Sequence, residues 1–358
     1  MRDNGLIAFS RVLYRALYVI ITVILSVMVF SLFIAKGISG FLPAMFADMV
    51  YGKASKPYVY RALLPATVRL LTKAIPPAQK VSLDQFLDEN RVVQSIINRL
   101  LFTKDQQDRR YLTEYAIALL LMFLSLLGFF WSLRYLFRSL YRAPVIYTDI
   151  VSLAALIALP YCFKYYSHLY DFPTLFLFTL GLGLMCNKQW GLYMIIFILG
   201  CLNKETAILL TLLCAVHYRQ RMDKAEFKKL LLLQVFIFLF IKSLLTVIFI
   251  HNPGTVVEFH LYDHNLQLLG LYPAKTIALW MVIAAVVMIL LFHHWSDKPQ
   301  FLKDGIWICI PLVCCILLFG FLDELRDYYE IYPIIFLLVF HSMCDLSWHR
   351  LEKIEISR

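Results

Sequence analysis

Charge is what this sequence is short of. Asp, Glu, Lys and Arg make up 16% of the 358 residues while hydrophobic residues reach 61%; soluble domains run at about 25% and roughly 45–50%. That excludes a soluble enzyme and leaves a polytopic membrane protein. Acids are scarcer still than bases, and the net charge is +10. In a soluble chain such an excess would suggest nucleic acid. Here it matches the lysines and arginines that gather on the cytoplasmic side of membrane spans, and no nucleic-acid partner is expected. The eight cysteines all lie in or beside apolar runs, none in the long polar loop. That excludes a disulfide framework or a cysteine metal cluster and leaves cysteine as a small buried hydrophobe. No cofactor and no metal-ligating set is expected; a divalent ion finds no supporting residues.

What is present is a succession of apolar runs. Ala16–Ala35 follows Arg2, Arg11 and Arg15, is long enough for a roughly 30 Å core, and lacks a small-x-small cleavage site. It is expected to be a retained signal anchor with a cytoplasmic N-terminus. Tyr111–Leu133 returns to Arg134, Arg138 and Arg142. Further spans are expected at about 145–163, 172–186, 190–202, 206–218, 229–250, 272–292, 305–320 and 331–345. With about ten passes, the basic loop 219–229 and the tail with Arg350, Lys353 and Arg358 fall on the cytoplasmic side. The expected fold is an all-α polytopic membrane protein, one membrane domain over 1–358, with a large extracytoplasmic loop at 36–110 and both termini cytoplasmic. Segments 172–186, 190–202 and 206–218 are short for spans. Residues 190–218 read equally as two short passes or as a re-entrant hairpin.

The 36–110 loop is expected to carry two amphipathic helices at the membrane interface. In "YRALLPATVRLL", Tyr60, Leu63, Leu64, Val68 and Leu71 share one helical face. Ser82 and Gln85 have capping-box spacing, and Val93, Ile96, Ile97, Leu100 and Leu101 follow in register. Such helices could cap the bundle or cover a lipid-accessible cavity.

By this parity one face receives nearly all the polar chemistry. "NKET" places Lys204 and Glu205 at the border of two apolar runs, where charges are costly. They read either as a helix-end ion pair or as a pocket in which Lys204 meets an anion and Glu205 meets hydroxyls or positions the lysine. In "FLDELRDYYEIYP", Arg326 stands three residues after Asp323 and four before Glu330, spacings that permit local helical ion pairs. Tyr328, Tyr329 and Tyr332 accompany them, either as an interfacial belt or as equipment for sugar rings and phosphates. Asp48 is the only acid between residues 4 and 83, and Arg61 is flanked by Pro57, Tyr58 and Tyr60. His168 and Asp171 in "SHLYDFP" read as polar pocket lining, or at Asp171 as helix capping.

Taken together these pieces resemble the GT-C glycosyltransferases, polytopic enzymes that use polyprenyl-phosphate sugars on the extracytoplasmic side. In that superfamily a large first outer loop carries interfacial helices and an acidic catalytic residue. "PYVYRALLP", "NKETA" and "DELRDYYEIYP" are similar to recurrent motifs of small bacterial membrane proteins of this type. The resemblance implies a multi-pass protein of the bacterial inner (plasma) membrane, with a polyprenyl-phosphate-linked sugar, a glycan or lipid acceptor and membrane lipids as partners. It implies Asp48 as catalytic base and Arg61, Lys204 and Arg326 as phosphate partners. Glu205, Glu324, Tyr58, Tyr60, Tyr329, His168 and Asp171 would line the substrate site. The paired acids common in many members are absent around Asp48. Transfer from a lipid phosphate needs a carboxylate to take the acceptor's proton and cations to stabilise the departing phosphate.

A flippase or other lipid or glycan transporter is the rival reading; it would favour charges midway through spans and internal repeats, and no repeat is evident. A polysaccharide polymerase and a non-catalytic assembly subunit remain open.

Overall fold

The computed structural model describes residues 2–38, 40–91, 93–95, 108–347 and 351–354. The chain runs through α1 (Arg2–Ile34), α2 (Phe46–Tyr51), α3 (Leu63–Ala74), α4 (Pro77–Glu89), α5 (Leu112–Leu140), α6 (Val145–Ala158), α7 (Asp171–Cys186) and α8 (Trp190–Asn203). It continues through α9 (Ile208–Tyr218), α10 (Lys224–Ile248), α11 (Leu268–Leu271), α12 (Ala274–Phe292), α13 (Gln300–Gly305), α14 (Cys309–Phe319) and α15 (Tyr332–Leu346). Two-residue strands β1 (Tyr141–Arg142) and β2 (Glu352–Lys353) pair antiparallel.

Among the described residues, six segments are long and apolar enough to cross a membrane: Val12–Ile34, Leu112–Leu140, Val145–Cys162, Lys224–Ile248, Ala274–Phe292 and Gln300–Phe319. Four more apolar helices are shorter: Asp171–Cys186, Trp190–Asn203, Glu205–Tyr218 and Tyr332–Leu346. The protein is a nearly all-α membrane protein. α5 and α7 form its centre, burying Leu126, Phe129, Leu133 and Leu136 against Phe172, Leu175 and Leu182. Gly183 permits the approach, since a Cβ there would lie 2.6 Å from the Tyr135 ring. The longest helices stay outside this core. α12 packs on α15, and Leu291 is its one buried residue; α10 exposes Leu232, Phe236, Phe240 and Val247. Such apolar faces suit acyl chains.

Polar groups segregate to two ends. At one, Ile38 bridges Ser167 and Lys56 bridges Gly254. At the other, β1 meets β2, and Asn187 donates to Ser139 Oγ at 2.6 Å. α8 and α9 run between them in opposite directions. Their joining residues, Lys204 and Glu205, meet Glu330 and Arg61 at the first end, while His217 meets Asp304 near the second. At 1.5 Å per residue α8 is only about 20 Å long and α10 about 37 Å. The α8–α9 tip therefore makes a sunken floor.

Several expectations change. α5 continues past Leu133, and Arg134 is helical, paired with Asp149 and the Tyr18 hydroxyl rather than ending the helix. α10 begins at Lys224 with Asp223 as its N-cap, accepting from Ala225 N at 2.8 Å, so half of the 219–229 loop is helix. Ser82 and Gln85 form no capping box. α4 starts at Pro77, whose fixed φ suits a first helical position, which leaves Ser82 mid-helix. On α3 the buried face is Leu64, Pro65, Val68 and Thr72; Leu71 is exposed and Tyr60 precedes the helix in a 3-10 turn. Ile96, Ile97, Leu100 and Leu101 lie outside the described residues. α2 and α4 are tied to α5 through buried Glu114, which accepts from Tyr51 and Lys80 at 2.6 Å each.

Candidate functional site

The sunken floor has a local cause. Lys204 breaks the helical path with φ −154 and ψ 145, between α8 and the 3-10 turn Glu205–Ala207. Asn203 fixes the break by donating to Thr174 Oγ1 at 2.8 Å and the Tyr170 carbonyl at 3.1 Å. The side chains that follow diverge. Lys204 and Glu205 do not pair with each other: Lys204 Nζ lies 3.1 Å from Glu330 and 3.7 Å from Asp327, while Glu205 accepts from Arg61 at 3.0 Å.

Above the floor, residues 57–61 form a wall held by remote backbone. Lys56 N donates to Pro253 O at 2.8 Å, and Asn252 Nδ2 reaches the Gly52 and Ala54 carbonyls at 2.9 Å. The contact requires glycine at 254: its φ is +86, and a Cβ would fall 2.6 Å from Lys56 O. Tyr58 crosses to Glu258 at 2.8 Å. The Arg61 guanidinium lies 4.2 Å from the Tyr170 ring centroid and 5.4 Å from that of Tyr58. Cation–π contact and the Glu205 ion pair hold that guanidinium in place.

These walls enclose a cavity of about 470 Å³. Its polar side is Tyr58, Tyr60, Arg61, Lys204, Glu205, Glu258 and Asp327; its apolar side is Phe238 of α10 with Leu312, Ile316 and Phe319 of α14. Lys242 of α10 joins the polar side six residues, about 9 Å, below that helix's end. Among the described residues, three hydrogen-bonding groups at this cavity are buried without a protein partner: Tyr60 Oη, Arg61 Nε and Lys242 Nζ. Buried polar atoms are rarely left so. Together they can hold an anion.

Behind the cavity lies a second layer of ion pairs, in which Arg326 Nε, Tyr329 Oη and His168 Nδ1 have no partner among the described residues. Arg326 donates to Asp171 at 2.8 Å and to Glu324, and is itself buried. Asp323 accepts from Lys164, from Tyr272 at 2.5 Å, from Tyr165 at 2.7 Å and from His264 at 2.8 Å. Burial raises the Asp323 pKa, but these four donors outweigh it and hold the carboxyl below the usual carboxylate range. Glu324 goes the other way: burial and then the Asp327 carboxylate push it up to about 7 against the pull of Arg326. Burial opposes the Lys204 ammonium, yet Glu330 and Asp327 raise its pKa above the ordinary lysine value. His168 stacks on Tyr170 with centroids 5.0 Å apart; burial, then Arg326, Arg61 and Lys204, hold it well below the histidine range.

The structure thus sorts the residues singled out from sequence. Tyr58, Tyr60, Arg61, Lys204 and Glu205 face the cavity. His168, Asp171, Glu324, Arg326 and Tyr329 are brought to the same end but do not line it. Arg326 is taken up by two carboxylates that come from elsewhere than expected, because residues 325–328 form a 3-10 turn instead of a helical extension; the Asp323 and Glu330 pairings are not made. Asp171 is the first residue of α7 and not its N-cap; its carboxylate accepts from His168 N at 2.9 Å. Asp48, on α2, is outside the cavity lining, and among the described residues its carboxylate takes no hydrogen bond or ion pair. Sequence reasoning missed Glu258 and Lys242, and read Asp327 only as one of the acids of 323–330 that would orient sugar hydroxyls. Lys242 had a usable signal, a lone lysine inside an apolar run, which in a membrane points to a functional site. Compared with known proteins, the chain matches no family model, no curated protein and no solved structure.

Proposed function

We propose that this protein is a membrane glycosyltransferase of GT-C type, moving a sugar from a polyprenyl-phosphate donor to a glycan or lipid acceptor. In this reading all ten apolar helices cross the membrane, both termini are cytoplasmic, and the cavity opens on the extracytoplasmic face. The observation that carries it is the cavity's two-sidedness. Buried donors without partners (Tyr60 Oη, Arg61 Nε, Lys242 Nζ) stand on one side and membrane-length apolar helices on the other. A lipid phosphate has the matching halves, an anion on a hydrocarbon chain.

The chemistry asks for a base, and geometry favours Asp327 over Asp48. Asp327 lines the cavity, and its nearest charged partner is Lys204 at 3.7 Å, beyond hydrogen-bond length. Gly320 makes room for it, since a Cβ there would fall 2.8 Å from Asp327 Oδ2. The acceptor oxygen attacks the anomeric carbon, its proton passes to Asp327, and the bond from that carbon to the phosphate oxygen breaks. The released lipid phosphate is then stabilised by Lys242, Lys204 and Arg61, with Glu205 orienting Arg61. A transporter would be served by a matching site at the other end. There, among the described residues, His217, Arg221 and Asp304 pair with one another.

The test is reconstitution in nanodiscs with a panel of polyprenyl-phosphate hexoses and pentoses and extracted envelope glycolipids as acceptors. Wild-type protein should transfer sugar, and Asp327→Asn should lose about 10²–10⁴-fold in rate while retaining polyprenyl-phosphate binding by native mass spectrometry. Wild-type protein that binds polyprenyl phosphate no better than phosphatidylcholine would overturn the reading. An Asp327→Asn variant with full turnover would remove Asp327 alone.

A further inference from the structure

The end of the bundle away from the cavity holds a second constellation. α12 stops at Phe292, His293 caps it, and His294 adopts the left-handed conformation, φ 46 and ψ 46, before the turn Trp295–Asp297. Residues with a Cβ rarely occupy that region. The bend brings the two imidazoles together, their centroids 4.3 Å apart. Asp345, in the last turn of α15, reaches both: Oδ2 lies 3.0 Å from His294 Nδ1 and 3.6 Å from His293 Nε2. One ligand-type atom from each residue lies within 4.8 Å of the other two.

We propose that His293, His294 and Asp345 bind a divalent transition-metal ion of the zinc class. Metal–ligand bonds of about 2.0–2.2 Å in a tetrahedral shell place ligand atoms roughly 3.3–3.5 Å apart, and the observed 3.0 and 3.6 Å straddle that spacing. Two nitrogens with one carboxylate oxygen suit zinc and its neighbours over calcium or magnesium, which take oxygen shells. One carboxylate oxygen aimed at nitrogens of both imidazoles is the arrangement a shared ion would use. A further ligand is at hand, because Asp297 Oδ2 lies 3.7 Å from His294 Nδ1. The side chains of His293 and His294 are 29% and 42% exposed, so an ion can enter from solvent.

The location gives the ion a task. α12 buries little of its length and packs on α15. A metal would clasp the C-terminal end of α12 to that of α15. Tyr272, two residues before α12's other end, donates to Asp323 behind the cavity. The clasp would therefore steady a helix that reaches the site, and it stands whether or not the protein transfers sugar.

The experiment uses full-length protein in detergent, stripped of metal, carrying Cys314→Ser and Cys315→Ser because those two exposed thiols could compete for the ion. Zinc titrated calorimetrically should bind one per chain and raise Tm. Cobalt at the same site should give the visible d–d bands of a tetrahedral nitrogen–oxygen shell. His294→Ala and Asp345→Asn should each weaken zinc at least tenfold and abolish the bands, with unchanged elution on size exclusion. Should His294→Ala fail to fold, Asp345→Asn alone decides, since it keeps the shape of the side chain. Zinc binding that survives undiminished in Asp345→Asn, or folded parent protein that takes up no zinc at micromolar concentration, overturns the proposal.

Discussion

The two polar ends of this bundle use the same kinds of residue and reach opposite conditions. At the end without the cavity, Lys298 is fully buried, and its ammonium meets the Leu290, Leu291 and Leu338 carbonyls and Ser342 Oγ at 2.8–2.9 Å. At the other end Lys242 Nζ is buried beside a 470 Å³ cavity with no partner among the described residues. A fold that can saturate one lysine with four acceptors is not short of means to saturate another. What differs is space. Arg326 Nε and Tyr329 Oη also lack partners among the described residues but line no cavity, whereas Lys242, Arg61 and Tyr60 have room beside them for a ligand.

The same division runs through the cavity end itself, between Arg326 and Arg61. Arg326 is enclosed: its side chain is 3% exposed, Asp171 is 6% and Glu324 is 14%. Arg326→Met would strand two buried carboxylates, and such a loss costs roughly 3–5 kcal/mol. Arg61→Met would leave Glu205, whose side chain is 43% exposed, in contact with solvent through the cavity, at a cost of about 1 kcal/mol. Thermal unfolding of the two variants should therefore separate widely. Equal losses of stability would erase the distinction between strut and ligand group.

How much of this was legible follows the range of each interaction. Helices such as α8 and α12 are local hydropathy, and their bounds were readable within a few residues. That "NKET" and "DELRDYYE" belong to one end was readable from the alternation of basic and polar loops. Partners were not. Arg326 finds Asp171 across 155 positions and Arg61 finds Glu205 across 144, so local spacing pointed to Asp323 and Glu330 instead. Turning Arg326 inward also converted an expected helical extension into a 3-10 turn. Asp48 stood out by its isolation in sequence, and isolation says nothing about which wall a side chain lines.

Adjacent acids 323 and 324 sharpen the comparison further, because they titrate in opposite senses. The folded state holds Asp323 below its ordinary 3.8, so the stability it contributes is present above that value and lost as pH falls beneath it. Glu324 is pushed up from 4.5 to about 7, so the folded state binds a proton that the unfolded state has released. Stability from this group falls as pH rises from about 4.5 to about 7, by up to roughly 3 kcal/mol if Glu324 acts alone and by less because Arg326 and Asp327 share the titration. The Tm of wild-type protein in nanodiscs minus that of Glu324→Gln should fall between pH 5 and 7; the subtraction removes the opposite slope contributed by His168, which is held below the histidine range. A difference that stays constant across that window would assign no titration to Glu324.

The smallest expected effect on stability is the most direct test of the two ends. Lys298→Met removes an ammonium that sits on carbonyls near the C-terminal end of α12, where a cation also complements the helix dipole. Leaving those acceptors short should cost about 1–3 kcal/mol. Lys242→Met removes a buried amine that satisfies nothing in the protein, and methionine suits the apolar surroundings of α10. Its stability should be unchanged or slightly higher, since an unpartnered buried charge is itself unfavourable. Its function should suffer instead. Losing one charge-assisted contact to a phosphate should weaken polyprenyl-phosphate binding about 10- to 100-fold, whereas Lys298→Met, where it folds, should bind as wild type does. Both quantities come from one preparation, Tm by scanning fluorimetry and lipid binding by native mass spectrometry. If Lys242→Met loses stability as Lys298→Met does and keeps its lipid affinity, then Lys242 is a second structural lysine, and the cavity's anion-binding side reduces to Arg61, Lys204 and Tyr60.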